Sequence, residues 1–216
     1  MRLIRKTLGL LIQATGSLID KVFHNGSDFS KWVEMEDIGF GDDKGNKYQP
    51  VFVKVDRKIG KYYKVTKDDS VVDIGCGKGY AMHRLRRLGF GKVGGFDLNA
   101  GLVRIANSNF AKLGYDNCHA EQGDAETYDK YDDYNWFFMF NAVPRPVFEK
   151  ALDNIEASLK RHPREAVLVL ANPECHDVVA GSSLFETDHK IKGIMSWLDV
   201  YCYISGKQKQ RSHSEM

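Results

Sequence analysis

Val71-Val72-Asp73-Ile74-Gly75-Cys76-Gly77-Lys78-Gly79-Tyr80 is the stretch on which the fold turns. Residues 70–74 are a short apolar run of strand type. Glycines then occupy every second position, and a helical pattern starts at Tyr80 and runs to residue 88. A strand that dissolves into glycines and restarts as a helix opens a doubly wound α/β unit. Bare backbone can turn sharply there, and a ligand can approach it closely beyond the carboxyl ends of the strands.

Outward from that turn, strand and helix patterns alternate, which predicts a parallel sheet covered on both faces. Residues 92–96 form a second strand ending in Asp97. Residues 100–113 place Leu102, Ile105, Ala106, Phe110 and Leu113 on one helical face. A third strand near residues 118–122 leads to Gly123-Asp124. Residues 135–140 are continuously aromatic and apolar, as a strand buried on both faces requires. Residues 144–161 are helical with Phe148, Ala151, Leu152, Ile155 and Leu159 facing inward. Residues 166–171 are a strand stopped by Asn172-Pro173. Residues 183–189 and 197–204 read as two further strands, giving the sheet an antiparallel edge. The expected fold is therefore α/β, a doubly wound, mainly parallel sheet of about seven strands. A helical N-terminal extension covers residues 1–45, the ligand-binding domain residues 46–205, and a polar tail residues 206–216.

Three carboxylates fall at successive strand ends. Asp73 precedes the glycines. Asp97 lies 24 residues further on, where an acid accepts hydrogen bonds from ribose hydroxyls. Asp124 stands where a carboxylate can accept from an exocyclic amine. Each acid taken alone is also a solvated loop residue or a helix cap; three in this arrangement favour a ligand. A nicotinamide-dependent dehydrogenase is the rival, but its fingerprint is G-x-G-x-x-G. Here the spacing is G-x-G-x-G, with Tyr80 where the last glycine would fall.

VVDIGCGKGY, GGFDLN and QGDAE together resemble the first three motifs of class I S-adenosylmethionine-dependent methyltransferases, over roughly residues 48–177. The resemblance implies S-adenosylmethionine as cofactor and a binding set of Tyr48, Asp73, Gly75, Cys76, Gly77, Gly79, Asp97, Leu98, Asp124, Ala125 and Asn141. In it the glycine turn contacts the methionine part, Asp97 the ribose, and Asp124 lies by the adenine. A narrower likeness joins SDFSKWVEMEDIGF, KYQP, WFFMFNAVP and LANPE to a bacterial group of mostly unassigned substrate. That group shows Asn-Pro-Phe after its fourth strand. This chain keeps the asparagine as Asn141 and replaces Pro-Phe by Ala142-Val143. Asn141 is the candidate catalytic residue, its amide able to orient a nucleophile; the alternative is an asparagine closing a turn before Pro144. Methyl transfer from a sulfonium is an in-line displacement, so positioning can supply much of the rate without a strong base.

Composition narrows the partners. The 216 residues are 43% hydrophobic and 28% charged, the profile of a soluble globular domain. A net charge of +2, from 31 basic and 29 acidic side chains, gives no argument for nucleic acid as a partner. Four cysteines without C-x-x-C spacing read as reduced thiols of a cytoplasmic protein, and no metal site is expected. Residues 1–24 carry Arg2, Arg5, Lys6 and Lys21 against Asp20, with apolar residues at helical spacing. They read as an amphipathic helix packed on its own domain, with membrane-surface or self-association as the alternative. Phe23, Phe29, Trp32 and Phe40 give residues 1–45 too much aromatic surface to leave in water, so this segment is expected to cover part of the pocket.

The sequence thus predicts methyl transfer from S-adenosylmethionine to a protein side chain or small metabolite. A non-catalytic module that only binds the cofactor is the second reading, and a dehydrogenase the third.

Overall fold

The computed structural model describes residues 18, 20–22, 24–31, 54–140, 143–193 and 199–206. Tyr48 and Asn141, the aromatic residues Phe23, Trp32 and Phe40, and the tail from residue 207 lie outside the described residues.

Within them the order is α1 (Val55–Ile59), β1 (Ser70–Ile74), α2 (Tyr80–Arg86), β2 (Lys92–Asp97), α3 (Ala100–Lys112), β3 (Cys118–Gln122) and a short 3-10 turn (Lys130–Asp133). Then follow β4 (Trp136–Phe140), α4 (Arg145–Arg161), β5 (Ala166–Ala171), α5 (His176–Ala180), β6 (Glu186–Ile191) and β7 (Val200–Ser205). The seven strands form one sheet in the order β3-β2-β1-β4-β5-β7-β6. β1 to β5 are mutually parallel, and β7 runs antiparallel to both of its neighbours. The doubly wound, mainly parallel sheet read from the sequence is the one observed. The chain reverses its direction of strand addition at β1 and β4, which leaves a crevice at their carboxyl ends.

Alternation along each strand sends successive side chains to opposite faces. Val71, Val93, Phe138 and Val169 pack under α1, α2 and α3, with Met82, Leu85 and Phe110. Val72, Ile74, Phe137 and Leu168 pack under α4, with Phe148, Leu152 and Ile155. Each such fully buried side chain contributes about 1.5–3 kcal/mol, so the two cores hold the strand ends of the crevice in fixed register. β2 carries Gly94-Gly95 because both faces are crowded. A Cβ on Gly94 would lie 2.0 Å from Tyr134 Oη, and one on Gly95 2.5 Å from Met82 Sδ.

β6 begins at Glu186 rather than at residue 183. Ser182 Oγ accepts the N–H groups of Leu184 and Phe185 at 3.1 and 3.2 Å, which curls those residues into a turn before pairing can start. β7 is described over Val200–Ser205, and residues 197 and 198 of its apolar run lie outside the described residues. The described part of the N-terminal segment, chiefly residues 20–22 and 24–31, docks on α2 and α3, with Phe29 fully buried. Among the described residues no helix is long and apolar enough to cross a membrane.

Gly79 joins the glycine turn to α2 with φ +82°, and a Cβ there would lie 2.4 Å from Phe110 Cζ, which is itself buried. Gly79→Ala is therefore expected to destabilise the protein by about 2–4 kcal/mol, combining left-handed strain with overpacking. Urea unfolding checks this. An unchanged midpoint would show that α2 and α3 can separate without cost.

Candidate ligand site at the strand ends

The turn after β1 is fixed first by backbone bonds. The N–H groups of Gly75 and Cys76 both donate to the Phe96 carbonyl at 2.9 Å, and Gly79 N–H donates to the Cys76 carbonyl at 2.9 Å. Gly75, Gly77 and Gly79 have φ of 75°, 53° and 82°. L-residues with a Cβ are strained there, so the alternate glycines follow from the path of the chain.

Asp97 closes the turn from β2. Its Oδ2 accepts Gly77 N–H at 2.9 Å and its Oδ1 accepts Asn99 N–H at 2.9 Å. An ionised carboxylate offers about four acceptor positions, so two remain for a pair of vicinal hydroxyls. Burial raises the Asp97 pKa, and the bonds from Asn99 and Gly77 only partly oppose it.

Asp73, on β1, is 2% exposed, and its Oδ2 has no hydrogen-bond partner. Burial, and then the negative charge of Asp97, push its pKa up to about 8. An unmatched buried acceptor beside a second acid calls for a donor, best a cationic one. These acceptors therefore fit the ammonium and ribose hydroxyls of S-adenosylmethionine. Burial, followed by the charges of Asp97 and Asp73, raises the Cys76 thiol well above its ordinary range. Cys76 is thus a packing residue in the bend and a poor nucleophile.

The end of β3 joins the same place, because Gly123 N–H donates to the Asp97 carbonyl at 3.1 Å. Asp124 Oδ1 accepts Glu126 N–H at 3.0 Å, so this acid also makes the local turn that its alternative reading supposed. Ala125 is buried near Phe96, whose ring stacks on Tyr128 at 3.9 Å between centroids. The Leu98 carbonyl accepts from Gln122 Nε2 at 3.2 Å, tying β2 to β3. The structure thus gathers Asp73, Gly75, Cys76, Gly77, Gly79 and Asp97 into one cradle, with Leu98, Asp124 and Ala125 along its rim. Among the described residues no group of three or more His, Cys, Asp or Glu is placed to hold a metal ion.

Two contributors escaped the sequence reading. Asn99 caps α3, its Oδ1 accepting from Gly101 and Leu102 N–H, while its own N–H holds Asp97. An Asn just before a helical pattern is a recognisable cap. Lys78 has no such local signal: its partner, Asp28, is 50 residues away in the chain.

Residues 65–185, more than half of the chain, match a family model described as a methyltransferase domain. No curated protein matches the chain in sequence. Among solved structures, an amino pentose methyltransferase from Micromonospora echinaspora with S-adenosylmethionine bound is 12% identical with a TM-score of 0.52. That match covers 70% of this chain and 89% of the other. An RNA methyltransferase from Salinibacter ruber in complex with S-adenosyl-L-homocysteine is 17% identical with a TM-score of 0.51, covering 74% and 96%. A mutant MtNAS in complex with S-adenosylmethionine is 13% identical with a TM-score of 0.51, covering 70% of this chain and 59% of that one, so the chain spans less than two thirds of it. These likenesses are likenesses of fold.

The raised pKa of Asp73 has a thermodynamic consequence. The folded protein keeps this proton up to about pH 8, whereas the unfolded chain releases it near about 3.9. The folded state binds more protons between those limits, so stability falls as pH rises through that window. Asp73→Asn removes this contribution. The difference between urea midpoints at pH 5 and pH 8 should shrink in the variant; an equally wide difference would place the pH dependence on another group.

Proposed function

We propose that this chain, which belongs to the methyltransferase-domain family, transfers a methyl group from S-adenosylmethionine to a protein side chain or a small metabolite. The observation that carries the choice of donor is the glycine turn stitched to Asp97 with the unpartnered Asp73 oxygen beside it. Bound there, the cofactor supplies an electrophilic methyl on a sulfonium.

This chain's residues then bind and orient. Asp97 accepts from the ribose hydroxyls, Asp124 from the adenine amine, and Asp73 from the ammonium of the methionine part. Gly75, Gly77 and Gly79 let the backbone approach closely, with Cys76, Leu98 and Ala125 completing the walls. Tyr48 at the lead-in and Asn141 after β4 are assigned to the same site by motif position, Asn141 orienting the acceptor.

The charge pattern separates this donor from a dinucleotide. A pyrophosphate would meet the Asp97 charge and gain nothing from a protonated Asp73, whereas an ammonium favours the ionised form of Asp73, and the turn's only cation, Lys78, is held by Asp28. A zwitterionic, sulfonium-bearing ligand suits two buried acids; a dianion does not. The neighbouring folds named above act on different acceptors, so the fold itself does not choose among them. The net charge of +2 favours a protein side chain or metabolite over nucleic acid. The four free thiols accord with a reducing, cytoplasmic setting.

S-adenosylhomocysteine is expected to raise the melting temperature, since a ligand bound only by the native state stabilises it by mass action. NADH should leave it unchanged, and the reverse pattern would refute the assignment. Asp97→Ala should weaken S-adenosylhomocysteine by about 1–3 kcal/mol in calorimetry, and Asp97→Asn by less, because the amide keeps an acceptor. Parental affinity in both variants would remove Asp97 from the ribose site.

A further inference from the structure

One residue of the glycine turn points its chemistry elsewhere. The Lys78 side chain is only 2% exposed, and its Nζ donates to Asp28 Oδ2 at 2.8 Å and to the Lys31 carbonyl at 2.9 Å. Asn109 of α3, 1% exposed, grips the same point. Its Oδ1 accepts Asp28 N–H at 2.8 Å, and its Nδ2 donates to the carbonyls of Asp28 at 3.2 Å and Lys78 at 3.1 Å. Three segments far apart in sequence are thereby knotted together: the N-terminal strap of residues 20–31, the glycine turn, and α3.

The strap is itself ordered by buried polar groups. Asp20 Oδ2 accepts the N–H groups of Phe29 and Ser30 at 3.0 and 2.7 Å, and its Oδ1 pairs with His24 Nδ1 at 2.9 Å. Phe29, fully buried, packs on Tyr80 and His83 of α2 at 5.5 and 5.3 Å between centroids. At the far end, Lys112 Nζ donates to the Gly26 carbonyl at 3.0 Å and Asn25 Nδ2 to the Lys112 carbonyl at 2.7 Å. An ammonium as buried as that of Lys78 needs its partners, so the strap cannot leave without disturbing the turn.

We propose that the Asp28–Lys78 pair makes the N-terminal strap a positioning element of the cofactor site. Lys78 lies between Gly77 and Gly79, so anchoring its ammonium on the strap and its carbonyl on Asn109 restrains the backbone that receives the methionine end of the donor. Strap docking and cofactor binding are then positively coupled, and by reciprocity the bound cofactor tightens the strap. The inference rests on the S-adenosylmethionine reading above.

The test uses the full chain with S-adenosylhomocysteine as probe, in calorimetry and in hydrogen exchange of the segment holding Phe29 and Ser30. Asp28→Ala and Lys78→Met should each weaken binding about tenfold, within the range usual for coupled sites. The double variant should be no weaker than the worse single one, because the two residues act as a pair. Lys78→Arg should recover part of the loss, and Lys92→Met, which breaks the exposed Lys92–Asp133 pair at the end of β2 away from the turn, should keep parental affinity. The probe should slow exchange of Phe29 and Ser30 in the parent and fail to do so in Asp28→Ala. If Asp28→Ala does not fold, Asp28→Asn removes the charge while keeping the shape. Parental affinity in folded Asp28 and Lys78 variants, or additive losses in the double variant, would overturn the coupling while leaving the donor assignment intact. A parent chain that does not bind the probe would overturn the donor assignment and the coupling with it.

Discussion

The Phe96 carbonyl at the end of β2 accepts two backbone N–H groups, those of Gly75 and Cys76, and one residue later the Asp97 carboxylate takes a third from Gly77. These bonds bind the turn after β1 to the end of its neighbouring strand. They also decide what the turn is made of, because a chain bent to reach them passes through positive φ at alternate residues. The crevice follows from the same contact. β2 adds on one side of β1 and β4 on the other, so the ends of the strands part where the turn stands.

Electrostatics then sets what the crevice welcomes. Two acids share a poorly solvated space, and one keeps an oxygen without a partner. Such an arrangement is costly in the empty protein and becomes favourable once a ligand brings donors and positive charge. The turn's lysine does not neutralise the acids, because Asp28 and the Lys31 carbonyl hold it on the other side of the loop. On the proposed reading, this unsatisfied polarity is kept for the cationic end of S-adenosylmethionine, an instance of local disfavour kept where function needs it.

The remaining packing holds the cradle still. Glycines at positions 94 and 95 thin β2 so that Tyr134 can close on one face and Met82 with Cys76 on the other. Asn99 starts α3 while fixing Asp97, so the helix that covers the sheet and the acid that closes the glycine turn are aligned by one residue. Asn109, at the other end of that helix, carries the alignment on to the N-terminal strap.

The sequence by itself determined the order of strands and helices, the glycine turn and the acids at the ends of β1, β2 and β3. These depend on periodicity, on glycine's access to positive φ and on chain position, all of which are local. Strand limits were legible wherever an apolar run met a breaker, as at residues 166–171 before Asn172-Pro173. They were less so at residues 183–189, where the Ser182 hydroxyl converts apolar residues into a turn. Only the tertiary structure decided that Asp73 stands unpartnered beside Asp97, that Asp124 doubles as a turn former, and that Lys78 belongs to Asp28 instead of the ligand cradle. Burial and pairing between residues 50 or 81 positions apart leave no mark on local pattern, because they exist only once the sheet has brought those segments to one place.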